Sequence, residues 1–272
     1  MAPPDDTYSH GHHASVLRSH GWRTAENSAA YLLPHLRPEH RLLDVGVGPG
    51  SITCDLASRL SHGSVVGIDN AAAAVEAAGQ LAESRAVGNL TLTVGDVYAL
   101  DFPDGSFDVV HAHQVLQHLS DPVAALREMR RVCRPDGVVA VRDADYAAMT
   151  WFPETPELTR WMSLYQALAR SNRGEPDAGR RLKGWADQAG FDSISCTAST
   201  WCFASEEDLA WWSQTWAERL VSSGFAAQSV ERGLSDPVEL SALSEGWRAW
   251  SQEPAAWFAV VHGEALCRPV SY

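Results

Sequence analysis

The sequence predicts an α/β fold: a doubly wound, mostly parallel sheet of seven strands, with an N-terminal helical lid and a helical insertion between the last two strands. Short apolar runs alternate with helix-period segments from Arg41 to Asp145, which is the pattern of successive βαβ units. The first run opens into "LLDVGVGPGS", with three glycines on alternate positions ahead of a helical stretch. The second and third runs each close on an acid, Asp69 and Asp96.

Taken in order, "RLLDVG" reads as a strand, and "SITCDLASRL" places Ile52, Leu56 and Leu60 on one helical stripe that stops near His62 and Gly63. "SVVGID" is the second strand, "AAAAVEAAGQLAESR" the second helix and "NLTLTVGD" the third strand. "DGSFDVVHAH" supplies a turn and a fourth strand. In "DPVAALREMRRV" the residues Val123, Leu126, Met129 and Val132 recur at helical spacing, and "PDGVVAVRDAD" gives the fifth strand. Right-handed crossovers between these strands make a doubly wound sheet.

Ahead of this core, roughly Tyr8 to Leu36 reads as helical and ends at Pro34 and Pro38. Beyond it, ten of the 11 tryptophans follow residue 150. "GRRLKGWADQAGF" and "DSISCTASTWCF" read as a further helix and strand, and "AAWFAVVHGEALCRP" as the last strand. Two helices, "SEEDLAWWSQTWAERLVSSGF" and "DPVELSALSEGWRAWSQEP", fall between those strands, the first capped by Ser205 with Glu206 and Glu207 in its first turn.

Composition narrows the function classes. The formal charge of −13 sets a polyanion against long-range repulsion. The basic clusters are short, Arg127/Arg130/Arg131/Arg134 and Arg180/Arg181/Lys183, and the first has the spacing of a solvated helix face. Nucleic acid is therefore not the expected partner. The start lacks the basic and apolar regions of a signal peptide, and no run approaches the ~18 to 20 apolar residues of a membrane span. The cysteines Cys54, Cys133, Cys196, Cys202 and Cys267 are scattered, as expected of reduced thiols in a cytoplasmic protein.

A ligand of a doubly wound sheet sits beyond the carboxyl ends of the strands. Gly46, Gly48 and Gly50 lie there, where glycine permits positive φ and lets a ligand touch the main chain. The dinucleotide fingerprint G-x-G-x-x-G fails by one residue, since Ser51 holds the last glycine position. Standing alone, such a turn fits a dinucleotide, a nucleoside or a plain tight αβ turn. Asp69, however, is placed to accept both hydroxyls of a ribose. Asp96 in "VGDV" is placed to accept from an exocyclic amine, with Val97 beside it, and His113 and Gln114 end the fourth strand.

These residues together resemble the class I S-adenosylmethionine-dependent methyltransferases, through "LLDVGVGPGS", "VVGIDN" and "VGDVYALDFPDGSFDVVHAHQVLQHLSDPVAALREMRRVCRPDGVV". The last run is similar to the small-molecule branch akin to ubiquinone and menaquinone methyltransferases. The resemblance covers about Leu42 to Val141 and implies a Rossmann-like methyltransferase fold with S-adenosyl-L-methionine as cofactor. It implies one methyltransferase domain over 1–272: a lid at 1–40, a cofactor-binding core at 41–150, and a substrate side at 151–272 whose insertion spans about 205–253. By the same resemblance Asp44, Gly46, Gly48 and Gly50 line the methionine part, Asp69 and Asn70 the ribose, Asp96 and Val97 the adenine, and His113, Gln114 and His118 the sulfonium side. Val47 departs from the small residue or cysteine often found there. Tyr8, His12 and Arg23 are candidate partners of the methionine carboxylate, or else cap and pack helices.

Methyl transfer from a sulfonium is an in-line displacement, helped mostly by alignment in a dry site. His113 is the candidate catalytic residue, as a base or as a positioning group, and His118 in "LQHL" also fits helix packing. Asp143, Asp145 and Tyr146 follow the fifth strand. Ala112-His113-Gln114 offers no acid pair for a divalent cation and no His/Cys cluster shows zinc spacing; "HGHH" at 10 to 13 is suggestive, but an N-terminal run of this kind more often holds no metal, so no metal is expected. Trp211, Trp212 and Trp216 cannot share one helix face. Some belong to the core; alternatively Trp151, Trp212, Trp216 and Trp247 line an aromatic pocket. Asn172, Arg173 and Arg180 sit in a polar loop able to grip an anionic or hydroxylated group, or to make surface salt bridges.

The expected activity is methyl transfer to a small aromatic or polyketide-like metabolite of secondary metabolism, by a cytoplasmic monomer or homodimer with no nucleic-acid or membrane partner. Two other readings keep the fold: a cofactor-bound scaffold of pericyclase or decarboxylase type, and a nucleoside-binding regulator without turnover.

Overall fold

The computed structural model describes residues 22–269. Its centre is a sheet of eight strands: β1 Arg41–Val45, β2 Ser64–Asp69, β3 Leu90–Val94, β4 Phe107–His113, β5 Cys133–Ala144, β6 Thr150–Phe152, β7 Ser193–Phe203 and β8 Trp257–Arg268. The order β3-β2-β1-β4-β5-β8 puts the first five strands parallel, and β8 runs antiparallel to β5, β6 and β7. Seven of these strands are those the sequence pattern predicts. The eighth, β6, resumes the line of β5: β8 pairs with β5 through residues 262–267 and then with β6 through 257–259.

The connecting helices form where the apolar stripes lie: α2 Ser51–Arg59, α3 Ala72–Ser84, α4 Pro122–Val132 and α6 Leu182–Gln188. The Ile52, Leu56 and Leu60 stripe is buried against Leu42, Val65, Val109 and Ala140 on one sheet face. Leu126, Met129 and Val132 of α4 are buried with Val110, Val139 and Val141 on the other. Asp121 caps α4 by accepting from the Ala124 N–H, and Pro122 takes the first helical position, where its missing N–H costs nothing. The arginines of α4 are spent locally: Arg127 and Arg130 donate to the carbonyls of Gln188 and Pro269, and Arg131 pairs with Glu128 and Asp104.

Of the N-terminal segment expected to be helical, the part from Trp22 onward is described by the structure. Within the described residues it holds only the one-turn α1 Ala25–Ser28, started by a Thr24–Asn27 capping box, and a 3-10 turn at Leu33–His35 containing Pro34. The rest of the expected lid lies outside the described residues.

Beyond the carboxyl ends of β5 and β7 stands a helical cap larger than the two helices expected. It comprises α5 Pro156–Ser171, α7 Glu206–Ser222, α8 Gly224–Glu231 and α9 Pro237–Trp250. Ser223 splits the first predicted helix: its hydroxyl donates to the Arg219 carbonyl behind it and accepts from the Phe225 N–H ahead. Helix α5 went unassigned in the sequence, although Leu158, Trp161, Met162, Tyr165, Leu168 and Ala169 make a helical stripe there and all are buried. Trp161, Trp216, Trp247 and Trp250 are wholly buried, and Trp161 sits 4.5 Å from Trp216 and 4.8 Å from Trp247 in edge-to-face contact. Such contacts set a ring's positive edge against a neighbour's negative face. Most of the tryptophan excess therefore builds the core of the cap.

Candidate active site

The glycine turn adopts the conformations its sequence was expected to need. Gly46, Gly48 and Gly50 all have positive φ, and Gly50 precedes the first residue of α2. At Gly50 the space is also closed, since a Cβ would lie 2.7 Å from the Ala78 Cβ. The Gly46 and Val47 N–H groups donate to the Ile68 carbonyl, tying the turn to β2. Val47 packs into room left by Gly67, where a Cβ would meet it at 2.7 Å, so the larger side chain is accommodated inside the sheet face.

Asp44 is placed differently from the expectation that it lines the ligand. It is 3% exposed, and its carboxylate accepts from the Thr53 hydroxyl at 2.5 Å and is bonded to His111 Nδ1 at 2.7 Å. It fastens β1 to α2 and β4 beneath the turn, a supporting part that spacing alone does not distinguish from a ligand contact.

At the neighbouring strand ends, the half-buried Asp69 accepts from the Gly48 N–H and the Ala71 N–H, each at 3.0 Å, and Asn70 beside it is exposed. Asp96 accepts from the Tyr98 N–H at 2.9 Å, with Val97 buried next to it. Both carboxylates stand at the edge of the turn with lone pairs to spare for hydroxyl or amine donors. A glycine cradle followed along the sheet edge by acids at the ends of the next two strands, β2 and then β3, fits a nucleoside.

A family description, Methyltransferase domain, matches residues 36–209. The chain belongs to this methyltransferase family. An uncharacterized methyltransferase of Schizosaccharomyces pombe is 34% identical over 98% of both chains. The ubiquinone/menaquinone biosynthesis C-methyltransferase of Vibrio vulnificus is 31% identical over 58% of this chain and 66% of its own. Phosphoethanolamine N-methyltransferase 2 of Haemonchus contortus, solved with phosphomonomethylethanolamine and S-adenosylhomocysteine, superposes with a TM-score of 0.57 at 20% identity, over 92% of this chain and 53% of its own. The methyltransferase uses S-adenosylmethionine, which the glycine cradle and its two acids fit.

On the far side of the methyltransferase's turn lies a buried polar group that the sequence only half disclosed. His113 ends β4, 7% exposed, with neither ring nitrogen hydrogen-bonded. Gln114 follows at φ 53°, a left-handed conformation that a non-glycine residue adopts at a cost. Its carbonyl oxygen accepts from Arg23 Nη2 at 2.8 Å, which leaves its amide N–H to donate to His262 Nε2 at 2.8 Å. His262, from β8, and Trp201, from β7, had no motif to mark them. They reach the site only because β8 folds back beside β5 and β7 folds back beside β8.

His118 lies in the 3-10 turn Leu116–His118, half-buried, its Nε2 3.0 Å from the Gln117 amide nitrogen. Gln117 is itself held by Asp143 and by the Ala144 N–H. Tyr146 stacks on Tyr165 at 3.9 Å, and Trp151 is partly buried beside Trp161 and Phe258. Trp212 is 6% exposed, and Trp216 has no exposed surface. Arg173 is exposed just past α5, while Arg180 is taken by a two-pronged pairing with Asp145. Tyr8 and His12 lie outside the described residues. Among the described residues no cluster of three or more His, Cys, Asp or Glu could hold a metal, and no helix is long and apolar enough to cross a membrane.

Burial sets the ionisation of this region. It holds His113 and His262 well below the usual imidazole range, helped by Arg142 and Arg23, and lowers His118 to about 3. It pushes Asp143 up to about 8. The depressed histidines stabilise the fold fully above about pH 6.5 and lose that contribution as pH falls, because the unfolded chain then binds more protons. Asp143 acts oppositely: its contribution is complete below about pH 4 and is lost as pH rises towards 8. Two fully buried histidines and one half-buried one outweigh a single acid. Unfolding free energy is therefore expected to drop by about 2 kcal/mol per unit between pH 6.5 and 5, measured by urea titration. A flat or rising profile would contradict neutral histidines here.

Proposed function

We propose that this methyltransferase methylates a small aromatic or polyketide-like acceptor at the site closed by His113, Gln114 and the N-terminal segment. S-adenosylmethionine, when bound, supplies an electrophilic methyl group on a sulfonium. On this reading Gly46, Gly48 and Gly50 give main-chain contact to its methionine part, with Arg23 on the same side. Asp69 and Asn70 hold the ribose, and Asp96 and Val97 the adenine. Gln114 and His118 close the sulfonium side. Asp44 supports the turn from below.

The observation that carries the acceptor class is the surrounding of His113: an unpartnered, buried imidazole 5.8 Å from the Trp201 ring and 6.2 Å from His262. Ring walls favour a planar body, and the imidazole offers one hydrogen-bond donor and one acceptor to fix it. His113 orients the acceptor rather than stripping a strongly held proton from it, since burial keeps it a weak base. On the same reading Tyr146, Trp151 and Arg173 meet the acceptor from the cap side, and Trp212 and Trp216 act through the packing behind them. The name of the Vibrio vulnificus relative, a C-methyltransferase of ubiquinone and menaquinone biosynthesis, supports a ring-bearing acceptor.

Incubation of the protein with labelled S-adenosylmethionine and a metabolite extract is expected to yield S-adenosylhomocysteine and one labelled small molecule, identified by mass. His113→Leu is expected to lower kcat about 10²-fold on that molecule. Cofactor binding without S-adenosylhomocysteine would overturn the transferase reading in favour of a scaffold or regulator. We further place the protein in the cytoplasm, as a monomer or homodimer of secondary metabolism.

A further inference from the structure

We propose that the acceptor is held as a planar oxyanion in a box built around Trp201 by Arg23, His113, Arg142 and His262. This deepens the methyl-transfer reading and rests on it. Trp201 is 6% exposed, and its indole N–H donates to the Asn27 carbonyl at 2.7 Å, which fixes the ring. Around that ring stand His262 at 4.3 Å and His113 at 5.8 Å between centroids, with the guanidinium carbons of Arg142 at 5.0 Å and Arg23 at 5.5 Å. These groups come from β4, β5, β8 and the N-terminal segment, so only the assembled fold brings them together.

Donors dominate the box. Arg142 spends Nε and Nη2 on Ser199 and Glu264, while its Nη1 is buried with no acceptor. A buried N–H without an acceptor is destabilising, and a ligand oxygen relieves it. The Arg23–Gln114–His262 chain occupies His262 Nε2 as an acceptor, so the proton of that ring sits on Nδ1. The free nitrogens of His113 add one donor and one acceptor. A neutral hydroxyl would bring another donor to a site already rich in them. An oxyanion brings acceptors alone.

The charges facing the box point the same way. Glu264 is shared among Arg142, Thr197 and Ser199, Asp44 is bonded to His111, and burial raises Asp143 and the Tyr31 hydroxyl towards their neutral forms. Burial first, and then the Arg142 and Arg23 guanidinium groups, disfavour a positive charge on either histidine. The guanidinium part of that effect favours an anion in the same place, whereas burial opposes a charge of either sign, so the anion depends on Arg142 and Arg23.

The test uses the full chain saturated with S-adenosylhomocysteine and 4-nitrophenol as probe, whose phenolate is yellow and whose neutral form is not. Wild-type protein is expected to lower the probe's apparent pKa by about one unit, a roughly tenfold change in its ionisation constant. Arg23→Met should remove most of that shift and Arg23→Lys restore it, with circular dichroism confirming that both variants fold. Displacement by 4-nitrobenzoate would assign the site to carboxylates, and failure to displace would assign it to phenolates and enolates. An unshifted wild-type titration, whether the probe is unbound or bound neutral, overturns the proposal, as does a full shift in Arg23→Met. Methyl transfer from the extract assay alongside an unshifted probe would leave the transferase standing and remove only the oxyanion box.

Discussion

Asp69→Ala is expected to weaken S-adenosylhomocysteine binding about 10²- to 10³-fold, measured by titration calorimetry. Hydrogen bonds to a charged group contribute ~1.5–3 kcal/mol each, and the proposed ribose contact has two hydroxyls to lose. The carboxylate also accepts from the Gly48 and Ala71 N–H groups, so its removal loosens the turn at Gly48 as well, while the Gly46 and Val47 bonds to the Ile68 carbonyl still hold it to β2. Because Asp69 is only half-buried, the variant should stay folded, which a urea titration on the same sample verifies. A loss of less than about fivefold would show that the acid braces the turn and does not meet the cofactor. Asp96→Ala makes a useful companion, since its one backbone partner is the Tyr98 N–H on its own strand end.

Trp161→Ala is expected to cost about 3–5 kcal/mol of unfolding free energy, the range for deleting a large aromatic from a packed core. Trp161 has no exposed surface and touches Trp151, Trp216, Trp247 and Phe258, which belong to β6, α7, α9 and β8. One side chain thus joins three parts of the cap to the sheet. Trp161→Phe should recover part of the loss, because ring contacts survive while volume falls. Denaturant unfolding followed by circular dichroism reads the difference. A cost below about 1 kcal/mol would mean that the ring borders open space, and would return the tryptophan cluster to the acceptor pocket.

Both predictions rest on parts of the molecule that the sequence discloses unequally. The strand ends were legible because their signals are local. A doubly wound sheet places whatever follows its strands at one edge, so Gly46, Asp69, Asp96 and His113 were locatable from spacing. Asp44 belongs to the same motif, yet it points down into the sheet towards Thr53 and His111. Spacing says which residues neighbour a turn but not which side of a pleated strand they face once the partner strand has set the register. The missed helix α5 shows a related limit: its stripe of Trp161, Tyr165 and Leu168 was lost among so many aromatics that periodicity carried little contrast.

What the sequence determined by itself was the chain of βαβ units, the glycine turn and the acids at the ends of the second and third strands, since each depends on residues close together along the chain. The tertiary structure alone decided which tryptophans are core and which residues surround His113. Trp201, His262 and Arg142 lie on three strands whose pairing is antiparallel and long-range, and no local pattern encodes that register. Contacts of that kind form only when the sheet closes, so the glycine turn and the strand-end acids were readable beforehand and the surroundings of His113 were not.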